Sequence, residues 1–318
     1  MRVVFLGTPE FAVPSLEALL NVPQQCKVVG VMTQPDRPAG RGQRLTAPPV
    51  KLLADRHDVP VFQADRLRGN LEALEFLRSR EPDLNVVVAF GQILTSEFFD
   101  YPSLGTLNVH ASLLPKYRGA APVIHALING ETLSGVTIMK IDEGMDTGDI
   151  LSQLTVPVTE DMPAGALAQV LASSGADLLI ETIPGYAKGE IQLRPQEHAQ
   201  STYAPRIKKE ESRINWKQPA ATVHNLVRAL NPWPTAFTEF RGEKLRIWRT
   251  KKRSQVMSRS SSRSQPGQLL TVEKGEIAVQ CGDSTSLCLI ELQLPNRRRV
   301  SAGDFVNGVR LKVGEVLE

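Results

Sequence analysis

Asn108 and His110 close a short apolar run, Leu107 to His110, in the stretch LNVHASLLPKYRGAAP. In a strand, residues two apart share a face, so the two polar side chains point together and Val109 points away. Strand carboxyl ends in open α/β sheets are where ligands bind. An amide and an imidazole placed there can stabilise an oxygen that gains negative charge and can move a proton. The alternative is a core Asn and His satisfied by nearby backbone. A later stretch, KIDEGMDTGDIL from Lys140 to Leu151, crowds two glycines and four acids into a turn between two strand patterns. Such a loop can carry Asp146 back to the sheet edge, where its carboxylate would orient and charge the imidazole. The three groups suit transfer of a carbonyl group to an acceptor that attacks directly, with no Ser or Cys nucleophile.

These residues need a sheet to hold them. Short β-branched runs at 2–7, 27–33, 60–63, 84–89 and 107–110 alternate with helical patterns at 12–21, 50–58 and 69–80. That alternation predicts βαβ units and an open, doubly wound, mostly parallel sheet of Rossmann type. A strand pair follows near 134–142 and 149–156, then a helix over about 162–183. The polar stretch GEIQLRPQEHAQSTYAPRIKKEESRINW lacks periodicity and reads as a linker. Beyond a helix at about 219–230, five short alternating strands between 236 and 292 predict a small antiparallel barrel, OB-like in strand number. The expected division is 1–188 for a catalytic domain, 189–206 for the linker and 207–318 for the barrel domain.

Several functions are excluded. The first turn, GTPEF at Gly7 to Phe11, has one glycine where a dinucleotide fold needs three, which rejects a nicotinamide cofactor. Cys26, Cys281 and Cys288 form no C-x-x-C pair, and no His has metal-ligand spacing, so no metal is expected. No uninterrupted apolar run approaches bilayer length, and the chain is read as cytoplasmic, with no membrane partner. The net charge of +3 hides an asymmetry: residues 207–318 hold 20 Lys and Arg against 11 Asp and Glu, whereas 1–206 hold 17 against 23. A polyanionic partner for the basic segment follows, although a solvated basic face is also common. Trp233, in NPWP, reads as packing a helix against the barrel.

LNVHASLLPKYRGAAPVIHALINGE followed by GVTIMKIDEGMDTGDIL resembles the formyltransferases that use 10-formyltetrahydrofolate. FLGTPEFA, TQPDRPAGRG, NPWP and the terminal barrel extend the resemblance over nearly the whole chain, and narrow it to the branch whose acceptor is methionyl-tRNA. The resemblance implies that Asn108, His110 and Asp146 are the catalytic trio. It implies that Ser112, Leu113, Leu114 and Pro115 contact the folate, helped by Phe90, Gly91 and Ile93 in the stretch Ala89 to Leu94. It implies that the acceptor is the α-amine of methionine on initiator tRNA, that 10-formyltetrahydrofolate is the formyl donor, and that the protein acts as a monomer. The loop Thr33 to Lys51, with Arg37, Arg41 and Arg44, would meet the acceptor end of tRNA. Composition predicts that this long loop is mobile before RNA arrives, so that clear order in the free protein would count against the prediction. Lys208, Lys209, Arg246, Arg249, Arg297, Arg298 and Arg299 would hold phosphates. The Ser/Arg-rich stretch Lys251 to Gly267 reads as an insertion.

The trio alone leaves other acceptors open, among them glycinamide ribonucleotide, an amino sugar, or water acting on the folate. A non-catalytic RNA-binding protein would keep the basic surface but have no use for the trio.

Overall fold

The computed structural model describes residues 1–40, 42–253, 264–273 and 275–318. Packing divides the chain into two compact units. The first holds Met1–Pro122, Leu133–Pro157 and Ala168–Pro205, and the second holds Val123–Thr132, Val158–Leu167 and Arg206–Glu318. Nearly all of the stretch expected as a linker, 189–206, therefore packs within the first unit, and two short excursions of the N-terminal half pack with the second.

In the first unit the chain runs β1 (Arg2–Gly7), α1 (Val13–Leu20), β2 (Lys27–Thr33), β3 (Arg37–Ala39), β4 (Arg44–Thr46), α2 (Pro49–Arg56), β5 (Val61–Gln63), α3 (Leu71–Arg80), β6 (Leu84–Val88), α4 (Ser96–Phe99) and β7 (Thr106–His110). After α5 (Pro122–Ile128), which beyond Pro122 packs with the second unit, the first unit continues with β8 (Leu133–Lys140), β9 (Ile150–Pro157) and α6 (Ala164–Ala187) from Ala168 onward. The seven-stranded sheet has the order β5-β2-β1-β6-β7-β8-β9. The first five are parallel, and β8 and β9 turn back antiparallel. Val3 to Leu6 are fully buried, as strands covered on both faces require. The chain moves outward from β1 through β2 to β5 and returns to β6, so β1 and β6 flank the point where strand order reverses, and β7 lies next to it.

By length and composition α6 is apolar enough to cross a bilayer. Here it is a core helix: Leu171, Leu179 and Ile183 are buried, and a Cβ on Gly175 would sit 2.8 Å from Val109 Cγ1, so the helix lies hard against β7. The stretch Thr33 to Lys51 is not without structure, because β3 and β4 pair as an antiparallel hairpin. Arg41 lies outside the described residues.

The second unit carries α7 (Ala220–Ala229), then β10 (Phe237–Phe240), β11 (Glu243–Lys252), β12 (Leu269–Glu273), β13 (Glu276–Gln280), β14 (Ser286–Gln293), β15 (Val300–Ser301) and α8 (Ala302–Val309). Its antiparallel order is β10-β11-β14-β13-β12, with β15 on β14. The last residues close it. Leu317 N–H donates to Gly267 O and Leu269 N–H to Glu315 O, while Glu239 and Glu318 exchange backbone bonds of 2.8 and 3.0 Å. The tail thus bridges the two edge strands, at Glu239 of β10 and at Leu269 of β12. Trp233 is 53% exposed and does not pack a junction; Trp216 is the buried indole, donating to Thr238 Oγ1. Most of the Ser/Arg-rich stretch, residues 254–263, lies outside the described residues, whereas Lys251 and Lys252 belong to β11.

Candidate active site

β7 pairs with β6 on one side and β8 on the other, with Asn108 opposite Met139 and His110 opposite Thr137. Asn108 and His110 share a face of this central strand. Among the described residues the Asn108 side-chain amide has no hydrogen-bond partner, and it is only partly buried. A satisfied core Asn would look different. His110 is 6% exposed, and its Nε2 lies 2.9 Å from the carbonyl of Tyr117. A carbonyl only accepts, so Nε2 carries a hydrogen and Nδ1 faces the other way. Asp146 Oδ2 lies 3.7 Å from that Nδ1. The same carboxylate oxygen accepts the Gly119 N–H at 2.8 Å. Both supporting residues adopt positive φ, Tyr117 at 61° and Gly119 at 111°. The turn after β7 therefore aims one carbonyl at the imidazole and one N–H at the carboxylate. Sequence reasoning missed these two positions, for which the lone visible signal was the Gly of PKYRG.

The turn itself is pinned from the sheet. Ser112 Oγ donates to Lys116 O, Thr137 Oγ1 donates to Ser112 O and accepts the Leu114 N–H, and Gln153 Nε2 donates to Leu114 O. Leu114 is buried with Met139 and Ile150, and Leu113 packs over Gly135. Ser112 and Leu114 are buried and hold the turn in shape, while Leu113 and Pro115 are its partly exposed apolar residues. The second expected folate stretch sits past the end of β6. Phe90 is buried and its carbonyl accepts from Thr8 Oγ1 and Gln34 Nε2, while Ile93 is 82% exposed. Gly91 has φ of 79°, and a Cβ there would meet Gln34 Nε2 at 2.6 Å, so a larger residue would push the anchoring amide away.

No thiol belongs to the site. Burial pushes Cys281 up to about 12, and burial with Glu276 beside it pushes Cys288 up to about 11. Among the described residues no cluster of three His, Cys, Asp or Glu could hold a metal ion.

Residues 1–183 match the family model described as formyl transferase, and residues 206–310 match the formyl transferase C-terminal domain. The chain belongs to the formyl transferase family. Methionyl-tRNA formyltransferase from Halalkalibacterium halodurans is 44% identical over all of this chain and 98% of its own length. The proteins of that name from Clostridium perfringens strain SM101 and from a Synechococcus are 43% and 45% identical, the first over the whole of both chains and the second over 99% and 97% of them. Among solved structures, the N-formyltransferase from Helicobacter canadensis in complex with folinic acid and dTDP-3-aminofucose superimposes with a TM-score of 0.66. It is 21% identical and covers 90% of this chain and 98% of its own, a likeness of fold.

The basic residues of this formyl transferase lie on separate elements. On the hairpin, Arg44 is exposed and Arg37 is ion-paired with Asp65 at 3.0 Å. In the second unit, Lys208 and Lys209 are exposed at a 3₁₀ turn, and Arg246 and Arg249 project from β11. Arg249 lies 3.8 Å from Glu291, which also pairs with Arg299; the Arg299 guanidinium stacks 4.7 Å from the Trp248 ring. Arg297 and Arg298 are exposed on the loop before β15. Partial burial, then the nearby charges of Arg246 and Lys209, hold the Lys244 amine below its ordinary value. Burial is the larger cause, and the two neighbouring cations add to it.

Proposed function

We propose that this formyl transferase moves the formyl group of 10-formyltetrahydrofolate to the α-amine of methionine on initiator methionyl-tRNA, giving N-formylmethionyl-tRNA. One observation carries the chemistry: the unpartnered amide of Asn108 stands on the same strand face as His110, which Asp146 faces from the opposite side. Asn108 donates to the formyl oxygen as it gains charge, the form in which a preorganised donor is worth most. His110 Nδ1 and Asp146 manage the proton that passes from the attacking amine toward the leaving folate nitrogen. The amine must be neutral to attack, and α-amines titrate near pH 8 or below, so no strong base is needed. Phe90, Gly91 and Ile93 on one side and Ser112, Leu113, Leu114 and Pro115 on the other are the folate contacts in this reading, with Leu113 and Pro115 the partly exposed apolar ones and Ser112 and Leu114 setting the shape of that wall.

The relatives of 43 to 45% identity, aligned over their full length, support methionyl-tRNA as acceptor. So does the exposed basic face of β11, which an amino sugar or a nucleotide would not require. Lys208, Lys209, Arg246, Arg249 and Arg297 to Arg299, with Arg37, Arg41 and Arg44 in the first unit, serve as RNA contacts in this reading. A charged tRNA as acceptor supports the reading of the chain as cytoplasmic.

The test is single-turnover transfer from radiolabelled 10-formyltetrahydrofolate to charged initiator methionyl-tRNA, beside glycinamide ribonucleotide and an amino sugar nucleotide. Transfer to the tRNA alone is expected. Release of formate with no acylated product would overturn the acceptor.

A further inference from the structure

Residues 194–204 grip both halves of the site. Arg194 and Ile150 exchange backbone bonds of 2.8 and 3.0 Å, four residues beyond Asp146. At its other end the strap runs beside the turn after β7: Arg118 N–H donates to Thr202 O at 2.8 Å, Ala204 N–H to Arg118 O at 2.7 Å, and Tyr117 N–H to Thr202 Oγ1 at 2.9 Å. Between these attachments lies Gln196, 6% exposed. Its Nε2 donates to the carbonyls of Asp146 at 2.9 Å and Gly148 at 2.7 Å. Its Oε1 accepts from Nε and one Nη of Arg118 at 3.1 and 2.7 Å. Carbonyls only accept and a guanidinium only donates, so the amide has one possible orientation. Arg118 is itself 2% exposed, and its other Nη reaches Nδ1 of His198 at 3.2 Å.

Asp146 needs such a fixture. Its φ is 53°, a left-handed conformation that a non-glycine residue keeps only when its surroundings impose it. Its carboxylate lies 3.7 Å from His110 Nδ1, too long for a hydrogen bond, so the imidazole does not anchor it. The carboxylate is held through Gly119, and the backbone through Gln196.

We infer that Gln196 is a positioning residue for formyl transfer: clamped by Arg118, it sets the Asp146 turn and thereby the distance from Asp146 to His110. The inference rests on the reading of Asp146 given above. Displacing a reacting group by about 1 Å costs on the order of a hundredfold in rate, so a residue that touches no substrate can matter this much.

Gln196→Glu separates the role from simple packing. It keeps the acceptor for Arg118, and gains charge complementarity to it, but replaces the one nitrogen that donates to both carbonyls of the Asp146 turn with an oxygen that repels them. Expected are a folded protein of unchanged melting temperature or higher, a kcat lower by about tenfold to a hundredfold, and little change in KM for either substrate. In the Asp146→Asn background the same substitution should cost nothing further, because its effect runs through that carboxylate. Gln196→Met, apolar and of similar length, repeats the test if the Glu variant does not fold. A folded Gln196 variant with wild-type kcat beside a slow Asp146→Asn would overturn the positioning role alone, as would losses that multiply in the double variant. An Asp146→Asn enzyme of full activity would overturn the reading of Asp146, and this inference with it.

Discussion

The surroundings of His110 and those of Arg246 are both polar, yet they are held in opposite ways. Around His110 every support is short, directional and largely buried: a carbonyl on Nε2, an N–H on the Asp146 carboxylate, a fixed amide under the Asp146 turn. Along β11 the cations are exposed and their pairings vary: Arg249 sits 3.8 Å from Glu291, whereas Lys252 pairs closely with Glu160, and all of these pairs face solvent. Bond making tolerates little displacement, whereas a phosphate attracts charge over several ångströms and accepts many geometries. The difference predicts that substitutions around β7 act on rate and those along β11 act on salt-dependent affinity.

The largest expected effect is at Asn108. Asn108→Ala removes the oxyanion donor without touching a hydrogen bond inside the protein, so stability should hold while kcat falls by about a hundredfold to a thousandfold. Single-turnover rates with saturating folate and tRNA measure it, and a near-normal rate in folded protein would remove Asn108 from the chemistry. Gly119→Ala comes next. A Cβ there would lie 2.9 Å from the carbonyl of Ala204 at a φ of 111°, so strap and turn must part. A cost of about 1–3 kcal/mol in stability is expected from the strained backbone, together with a lower kcat as the N–H to Asp146 is lost. Denaturant unfolding beside the kinetics separates the two losses.

Asn108 and His110 were legible because a strand has a period of two, and Asp146 because glycines and acids mark a turn. The parallel strands were legible for a different reason, as continuous β-branched runs that burial on both faces requires. What holds the trio was not. Gln196 and Arg118 lie 78 positions apart, in stretches with no period, and a buried polar bridge leaves no trace in hydrophobic patterning. The hairpin β3–β4 escaped because strands of three residues between prolines and glycines read as loop. The tail that closes the barrel is too short to show alternation. Trp233 misled because size and hydrophobicity argue for burial, while the cavity that would receive the indole is a property of the fold.

A pH experiment extends the comparison to the second unit's interior. His224 is 2% exposed, with Nδ1 at 3.0 Å from Thr250 Oγ1 and Nε2 at 3.0 Å from the Glu160 carbonyl. Burial holds its imidazole below the ordinary value, against the opposing pull of that carbonyl and of Asp161. Folding therefore favours the neutral ring. The unfolded chain takes up the proton first, near pH 6.5, so this contribution is fully present above that value and is lost as pH falls below it. Melting temperature should drop between about pH 6.5 and 5 more steeply for the wild type than for His224→Gln. Parallel curves would mean the ring charges as readily folded as unfolded.

The smallest effects belong to the basic residues, and their ranking is the sharpest form of the contrast. Arg246 has no ion pair among the described residues, so a phosphate gains its whole charge; Arg37 is paired with Asp65 at 3.0 Å, so RNA must compete with a carboxylate already in place. Arg246→Ala should lower the slope of log affinity against log salt by about 1, with single-turnover rate at saturating tRNA unchanged. Arg37→Ala should lower it by less, because Asp65 already offsets much of the charge that Arg37 could offer a phosphate. If either substitution instead slowed the chemical step at saturating tRNA, the basic face would be setting the geometry of the acceptor as well as its affinity. The division between directional support around His110 and diffuse charge along β11 would then fail.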